Sequence, residues 1–66
     1  MEVLVNGESV ELDPPFSIAR LIERYELEPL RVAVEVNQDL VRRADYRDRV
    51  LCDGDAVEIV TLVGGG

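Results

Sequence analysis

The sequence predicts an α+β fold in which a mixed sheet of four to five strands is covered by one main helix. Three observations predict it: a length of 66 residues, one stretch with helical spacing of its apolar residues, and several stretches with strand-like alternation. A chain of this length forms one domain and buries only about 60% of the surface that its unfolded form exposes. One helix must therefore cover one sheet, because no other element can bury the apolar faces.

The first predicted element is a β-hairpin in "MEVLVNGESVEL". The Asn-Gly dipeptide at positions 6 and 7 tolerates the positive φ angles of a two-residue type I′ turn. This turn sets Val5 opposite Glu8 and leaves Leu4 on the face away from the core. The core face of the hairpin then carries Met1, Val3, Val5, Val10 and Leu12.

The main helix is predicted in "SIARLIERY", after two prolines that interrupt the strand pattern. Ser17 is a favourable N-cap residue. The helix is predicted to end near Tyr25 or Glu26, and Leu27 or Leu30 then covers the edge of the core. Apolar residues recur with the spacing of one helix face at Ile18, Leu21, Ile22 and Tyr25.

The second half of the chain predicts three further strands. "RVAVEVN" alternates with Val32, Val34 and Val36 on one face, residues 37–39 form a turn, and a short strand follows at residues 40–41. A polar connection with room for one helical turn leads to "CDGD", where Gly54 supplies a left-handed conformation. "AVEIVTLV" is the last strand.

The first and last long strands are expected to lie side by side in the middle of the sheet. Such a pair is parallel, whereas the hairpin is antiparallel, so the sheet is mixed. This arrangement is the β-grasp fold. We divide the chain into a β-grasp domain over residues 1–63 and a flexible C-terminal glycine tail over residues 64–66.

Composition disfavours several classes of function. The formal charge of −7 disfavours nucleic-acid binding and suits a protein partner with a basic docking surface. No apolar run approaches the roughly 20 residues that span a bilayer, so no membrane association is expected. With no His, no Lys and a single Cys, the usual general bases and metal-ligand clusters are missing. We therefore expect a cytoplasmic protein that is not an enzyme and holds no metal or cofactor of its own.

The ending "TLVGGG" allows two interpretations. The glycines are a frayed end, or the terminal carboxylate is the working group. A carboxylate with a pKa of about 3.3–3.7 is ionised and unreactive at neutral pH, so it must first be activated, most simply as an acyl-adenylate. Three extended glycines reach roughly 10 Å and let the backbone pass through a narrow channel into another protein's active site.

Taken together, these segments resemble the ThiS family of thiamine-pathway sulfur carriers, which are ubiquitin-like. The likeness rests on the hairpin around "VNG", the helix "SIARLIERY", the strand "VAVEVN", the segment "DGDAVEIV" and the two last glycines. The resemblance implies a ubiquitin-like β-grasp and a reactive group on Gly66, with Gly65 as the second required glycine. Gly64 departs from the usual pattern of the family and adds reach. Gly64 and Gly65 are expected to enter the partner's active site.

The resemblance also implies the partners. An E1-like adenylyltransferase, using ATP and Mg²⁺, would adenylate Gly66. A sulfur donor such as a cysteine desulfurase would convert the adenylate to a thiocarboxylate, and thiazole synthase would receive the sulfur. Three alternatives stay open: a sulfur carrier of the molybdopterin pathway, a ubiquitin-like modifier of lysines, and a module that only binds other proteins.

Other residues have less specific interpretations. Leu4, Val60 and Leu62 are expected on the uncovered face of the sheet, where they form a candidate partner-docking patch. We interpret Cys52 as a small buried or half-buried apolar residue rather than a sulfur relay, because no Lys or His lies beside it to lower its pKa. The carboxylates of Asp53 and Asp55 are attributed to a turn. A solvated face is expected for the arginines Arg42, Arg43, Arg47 and Arg49.

Overall fold

The computed structural model describes residues 1–62 and shows one mixed sheet with one helix. The elements are β1 (Glu2–Val5), β2 (Glu8–Glu11), α1 (Ile18–Arg24), β3 (Val32–Val36), β4 (Asp39–Val41) and β5 (Ala56–Thr61), with 3₁₀ turns at Pro29–Arg31 and Arg43–Asp45. The sheet order is β2-β1-β5-β3-β4; β1 and β5 are parallel and the other neighbours are antiparallel. This confirms the predicted fold class and the central parallel pair. The predicted boundary between residues 63 and 64 lies outside the described residues.

The first hairpin has the predicted turn and register. Asn6 and Gly7 both have positive φ angles, 52° and 85°, as a type I′ turn requires. Val5 pairs with Glu8, and Leu4 lies across from a serine on the outer face. The inward residues Val3, Val5 and Leu12 are buried, and Met1 and Val10 pack partly buried against them.

Helix α1 begins where the N-cap predicts. The Ser17 hydroxyl accepts a hydrogen bond from the backbone N–H of Arg20 at 3.1 Å. Ile18, Leu21 and Ile22 are completely buried, so the helix contributes the largest of the fully buried side chains.

The helix ends within one residue of the predicted position, but Tyr25, the last residue of its predicted apolar face, is not buried. The last helical residue is Arg24, and Glu26 has a φ of 57°, so the chain leaves the helix axis directly after Tyr25. Tyr25 is therefore 40% exposed although it continues the helix periodicity. Leu27 packs partly buried at the core edge, as predicted. Leu30 lies in the 3₁₀ turn at Pro29–Arg31 and is 68% exposed.

A second tight turn joins β3 to β4. Its central residues Asn37 and Gln38 have φ angles of 53° and 72°, so this turn takes a left-handed conformation without a glycine. Asp39 already belongs to β4 rather than to the predicted turn. Gly54 has the predicted positive φ, 88°. Strand β5 ends at Thr61, before the predicted end of the strand.

The polar connection between β4 and β5 contributes to the core more than its sequence indicates. Tyr46 is only 5% exposed, and its carbonyl accepts a hydrogen bond from the N–H of Ala19 at 2.9 Å. The N–H of Ile18 donates to the Arg49 carbonyl at 3.0 Å. The connection therefore packs against the start of α1.

Neither α1 nor any other helix in residues 1–62 has the length and apolar content to cross a membrane.

Candidate functional site

The predicted reactive tail is the continuation of β5. Gly64, Gly65 and Gly66 lie outside the described residues, so their predicted roles remain predictions. The last described residue is Leu62, whose N–H donates to the carbonyl of Arg31 at 2.7 Å. The root of the tail is thus held to the chain that leads into β3, beside the centre of the sheet.

Asn6 holds β5 from the other side. Its side-chain amide donates to the carbonyl of Ile59 at 3.2 Å and accepts from the N–H of Ile59 at 2.8 Å. Its backbone N–H also donates to the carbonyl of Val57 at 2.8 Å. Strand β1 ends at Val5, so the Asn6 side chain extends the β1–β5 ladder by one step. Sequence reasoning assigned Asn6 only to the turn. The available signal was that the first strand is shorter than the parallel strand beside it, so that a residue after the first strand has to bond to the end of the longer one.

The three predicted docking residues are exposed but do not form one patch. Leu4, Val60 and Leu62 are 44%, 54% and 47% exposed. Leu4 pairs with Ala56, which places Val60 four residues further along β5, about 13 Å away. Glu58 lies between them on the same face. The structure therefore separates Leu4 from Val60 and Leu62, which lie at the tail end of the sheet.

An acidic pair occupies the outer face between these apolar residues. Glu58 lies directly opposite Glu35 in the β3–β5 ladder, and both side chains are exposed. Within residues 1–62, neither carboxylate belongs to an ion pair. Like charges at directly opposed positions are destabilising. This face, acidic at its centre and apolar towards the tail, can bind a partner that offers basic and apolar side chains.

The Asp-Gly-Asp turn has the structural role that was expected. An Asp53 oxygen accepts from the N–H of Glu2 at 2.7 Å, and Asp55 oxygens accept from the N–H of Cys52 at 2.8 Å and the amide of Asn37 at 3.0 Å. These carboxylates tie the turn to β1 and to the β3–β4 turn. Over the described part of the chain, no group of three or more His, Cys, Asp or Glu could hold a metal ion.

Cys52 and the arginine cluster lie at the surface. Cys52 is exposed, so the prediction of a buried or half-buried residue is wrong. The residue immediately precedes the turn, and its N–H donates to the Asp55 carboxylate at 2.8 Å. Arg42 contacts Asp45 at 3.3 Å, and Arg43 donates to a backbone carbonyl. All four arginines are exposed, as a solvated face requires.

A pocket opens on the helix side of the sheet, next to the root of the tail. Its volume is about 330 Å³. Sequence reasoning missed it, because the pocket exists only where α1 ends and leaves the last residues of β5 uncovered. It is lined by Val5, Asn6, Glu8, Tyr25, Leu27, Ile59 and Thr61.

Comparisons with known proteins point in one direction. A family model described as the ThiS family matches residues 3–66. The sulfur carrier protein ThiS of Bacillus subtilis is 42% identical over 50 residues, which cover 76% of each chain. A thiazole synthase of Paramagnetospirillum magneticum is 32% identical over all 66 residues, and the chain spans only 20% of that protein. The crystal structure of the thiamine biosynthesis protein ThiS from Geobacter metallireducens superposes with a TM-score of 0.83 at 29% identity, covering 100% of both chains.

Proposed function

Because the chain belongs to the ThiS family, we propose that it is a sulfur carrier protein of thiamine biosynthesis and not itself an enzyme. The observation that carries this proposal is the family match over residues 3–66. The fold supports it, since a solved ThiS protein superposes over its whole length. The Bacillus subtilis relative is named as a sulfur carrier, which is the activity proposed for this chain.

The proposed reactive group is the carboxylate of Gly66. An E1-like adenylyltransferase joins it to the AMP portion of ATP and releases pyrophosphate, with Mg²⁺ bound by that enzyme. The outer sulfur of a persulfide on a donor such as a cysteine desulfurase then displaces AMP and forms an acyl disulfide. A second thiol cleaves the S–S bond, which releases the thiocarboxylate and leaves a disulfide on the donor side. The thiocarboxylate is a soft nucleophile that attacks an electrophilic carbonyl, so the carrier needs no catalytic side chain of its own.

The proposed recipient is thiazole synthase. A thiazole synthase in another organism is similar to the whole of this chain over a fifth of its own length. A carrier-like segment within the polypeptide of its recipient supports a functional partnership between the two proteins. Gly64 and Gly65 are proposed to enter the active sites of both partners, since glycine allows the closest approach of other backbones.

Intact-protein mass spectrometry tests this function. The chain is incubated with the adenylyltransferase, ATP, Mg²⁺, cysteine and a cysteine desulfurase. We expect a mass gain that equals the exchange of one oxygen for sulfur. Deletion of Gly66 should abolish this gain.

A matched control addresses the exposed thiol. Cys52 is exposed and could acquire sulfur as a persulfide, which adds one sulfur without loss of oxygen. The variant Cys52→Ser should therefore keep the oxygen-for-sulfur exchange. An unmodified wild-type chain, or one linked to lysines of other proteins, would reject the carrier function in favour of a binding module or a protein modifier.

A further inference from the structure

The main chain of β5 has one edge that bonds to β3 and one that bonds towards β1. The N–H of Asn37 donates to the carbonyl of Ala56, and the N–H of Leu62 donates to the carbonyl of Arg31. The main-chain N–H and carbonyl groups of the even-numbered residues in 56–62 therefore point towards β3. The odd-numbered residues Val57 and Ile59 bond to Asn6 on the other side. By the same alternation, the N–H and carbonyl of Thr61 point towards the β1 side.

No strand of the described chain lies beside Thr61 on that side. The β1–β5 pairing joins only two residue pairs, the last of them Val5 with Val57, and the Asn6 side chain adds one step. Beyond Asn6 the hairpin turns back into β2. The edge of β5 is thus open at Thr61, and an open edge is a template for pairing with an extended segment.

The pocket lies under this open edge. Val5 and Ile59 form buried walls, with exposures of 5% and 8%, and Leu27 is partly buried. Tyr25 and Glu8 complete the lining, and both are exposed. An apolar side chain fits the walls, and a neighbouring basic side chain fits the Glu8 carboxylate and the net charge of −7.

We propose that the open edge at Thr61 is a strand-addition site for the adenylyltransferase. An extended segment of that enzyme pairs with the Thr61 main chain, inserts an apolar side chain into the pocket and places a basic side chain near Glu8. The proposal rests on the proposed function, because an enzyme that encloses the tail must pass beside Thr61, one residue before Leu62. Pairing at this point sets the register in which the tail enters the active site.

The first test removes the Thr61 N–H. In Thr61→Pro the ring replaces an N–H that β3 does not use, whereas Thr61→Val keeps the N–H and the shape of the side chain. Loss of one main-chain hydrogen bond predicts about 2- to 10-fold weaker binding of the adenylyltransferase to the proline variant. The valine variant should bind like the wild type. Equal affinity of both variants would overturn the proposal.

A second pair of variants tests the pocket without touching the strand. Tyr25 is 40% exposed, so Tyr25→Ser should leave the fold intact while it removes one wall of the pocket. We expect a loss of affinity of at least about threefold, from the apolar area no longer buried. Leu40→Ser is the matched control, because Leu40 is 70% exposed on the edge strand β4. Equal affinities for these two variants would reject the pocket as part of the site.

Amide hydrogen exchange of the wild-type chain gives a readout that needs no variant. The Thr61 amide should exchange quickly in the free protein, and at least about tenfold more slowly when the adenylyltransferase is bound. Unchanged exchange at Thr61 in the complex would overturn strand addition. If the chain nevertheless gains its thiocarboxylate, only the strand-addition site fails. If no thiocarboxylate forms on the wild type, the proposed function fails as well.

Discussion

Replacement of Asn6 by alanine should release the end of β5 from which the tail continues. The side chain forms two hydrogen bonds with Ile59, at 2.8 and 3.2 Å, each contributing about 0.5–1.5 kcal/mol. Asn6 also has a φ of 52°, and alanine in a left-handed conformation costs about 1–2 kcal/mol. The sum predicts that Asn6→Ala lowers the free energy of unfolding by about 2–5 kcal/mol, a large part of the stability of so small a domain.

A second substitution separates the two contributions. Asn6→Gly keeps the left-handed backbone and loses only the hydrogen bonds, so it should cost about 1–3 kcal/mol and less than alanine. Gln38 provides the matched control, because it has a φ of 72° in the other hairpin turn. Within residues 1–62 its side chain makes no hydrogen bond comparable to those of Asn6. Gln38→Gly should therefore leave stability unchanged or raise it.

Urea denaturation followed by circular dichroism measures these free energies, and amide exchange locates the change. The Ile59 N–H should exchange faster in both Asn6 variants, while the Leu62 N–H, which bonds to Arg31, should change less. Suppose instead that Asn6→Gly leaves the unfolding free energy and the Ile59 exchange rate at wild-type values. The two hydrogen bonds would then contribute nothing, and the assignment of Asn6 as the residue that extends the ladder would be refuted.

Two further predictions concern the outer face of the sheet. Val60→Ser should weaken binding of the adenylyltransferase by about 1 kcal/mol, and more than Leu4→Ser, because Val60 lies near the tail and Leu4 lies beyond Glu58. Calorimetric titration checks this ranking, and the reverse order would contradict it. Glu58→Gln should raise the free energy of unfolding by a few tenths of a kcal/mol at low salt, by removing the opposition to Glu35, and should slow association with a basic partner. Urea melts at two salt concentrations and stopped-flow association test it, and destabilisation at low salt would count against it.

The correctly predicted parts of the fold are those that a few adjacent residues determine. The Asn-Gly turn determines the register of the first hairpin, because few other conformations suit that dipeptide. Ser17 marks the start of α1 through a hydrogen bond to a residue three positions away. The alternation of valines in β3 assigns its buried face. Each of these signals acts within one turn or one strand.

The predictions that failed concern how much of a side chain is covered, which depends on how the segments beside it fold and pack. Tyr25 continues the helix periodicity, but its exposure depends on the turn at Glu26. Cys52 was expected to be at least half buried, but it is exposed directly before a turn that the Asp55 carboxylate organises. For Tyr46 the sequence supported no prediction, and its burial comes from the packing of its charged segment on the start of α1. Periodicity indicates which face a residue occupies, and it does not indicate what covers that face.

The candidate docking surface was also predicted only in part: the exposure of its residues was predicted and the distance between them was not. Alternation along the strands predicts that Leu4 and Val60 are exposed on one face. Their separation depends on the parallel register, in which Leu4 pairs with Ala56. A shift of that register by two residues would place Leu4 beside Glu58 and much closer to Val60. No short turn joins β1 to β5, so no local sequence signal specifies their register, in contrast to the first hairpin.

The hydrogen bonds of β5 change towards its end, near the point where the tail begins in the sequence. Up to Ile59 the strand is bonded on both sides, by β3 and by β1 with Asn6. At Thr61 the β1 side is open, and Leu62 retains its bond to Arg31. Under the proposed function, a partner that binds the tail in its active site pulls on a central strand of the sheet. A central strand is hydrogen-bonded on both sides and separates from the sheet less easily than an edge strand. In the proposed strand addition, the partner supplies the missing neighbour at Thr61, and we therefore expect the determinants of tail recognition to begin within the domain, ahead of the glycines.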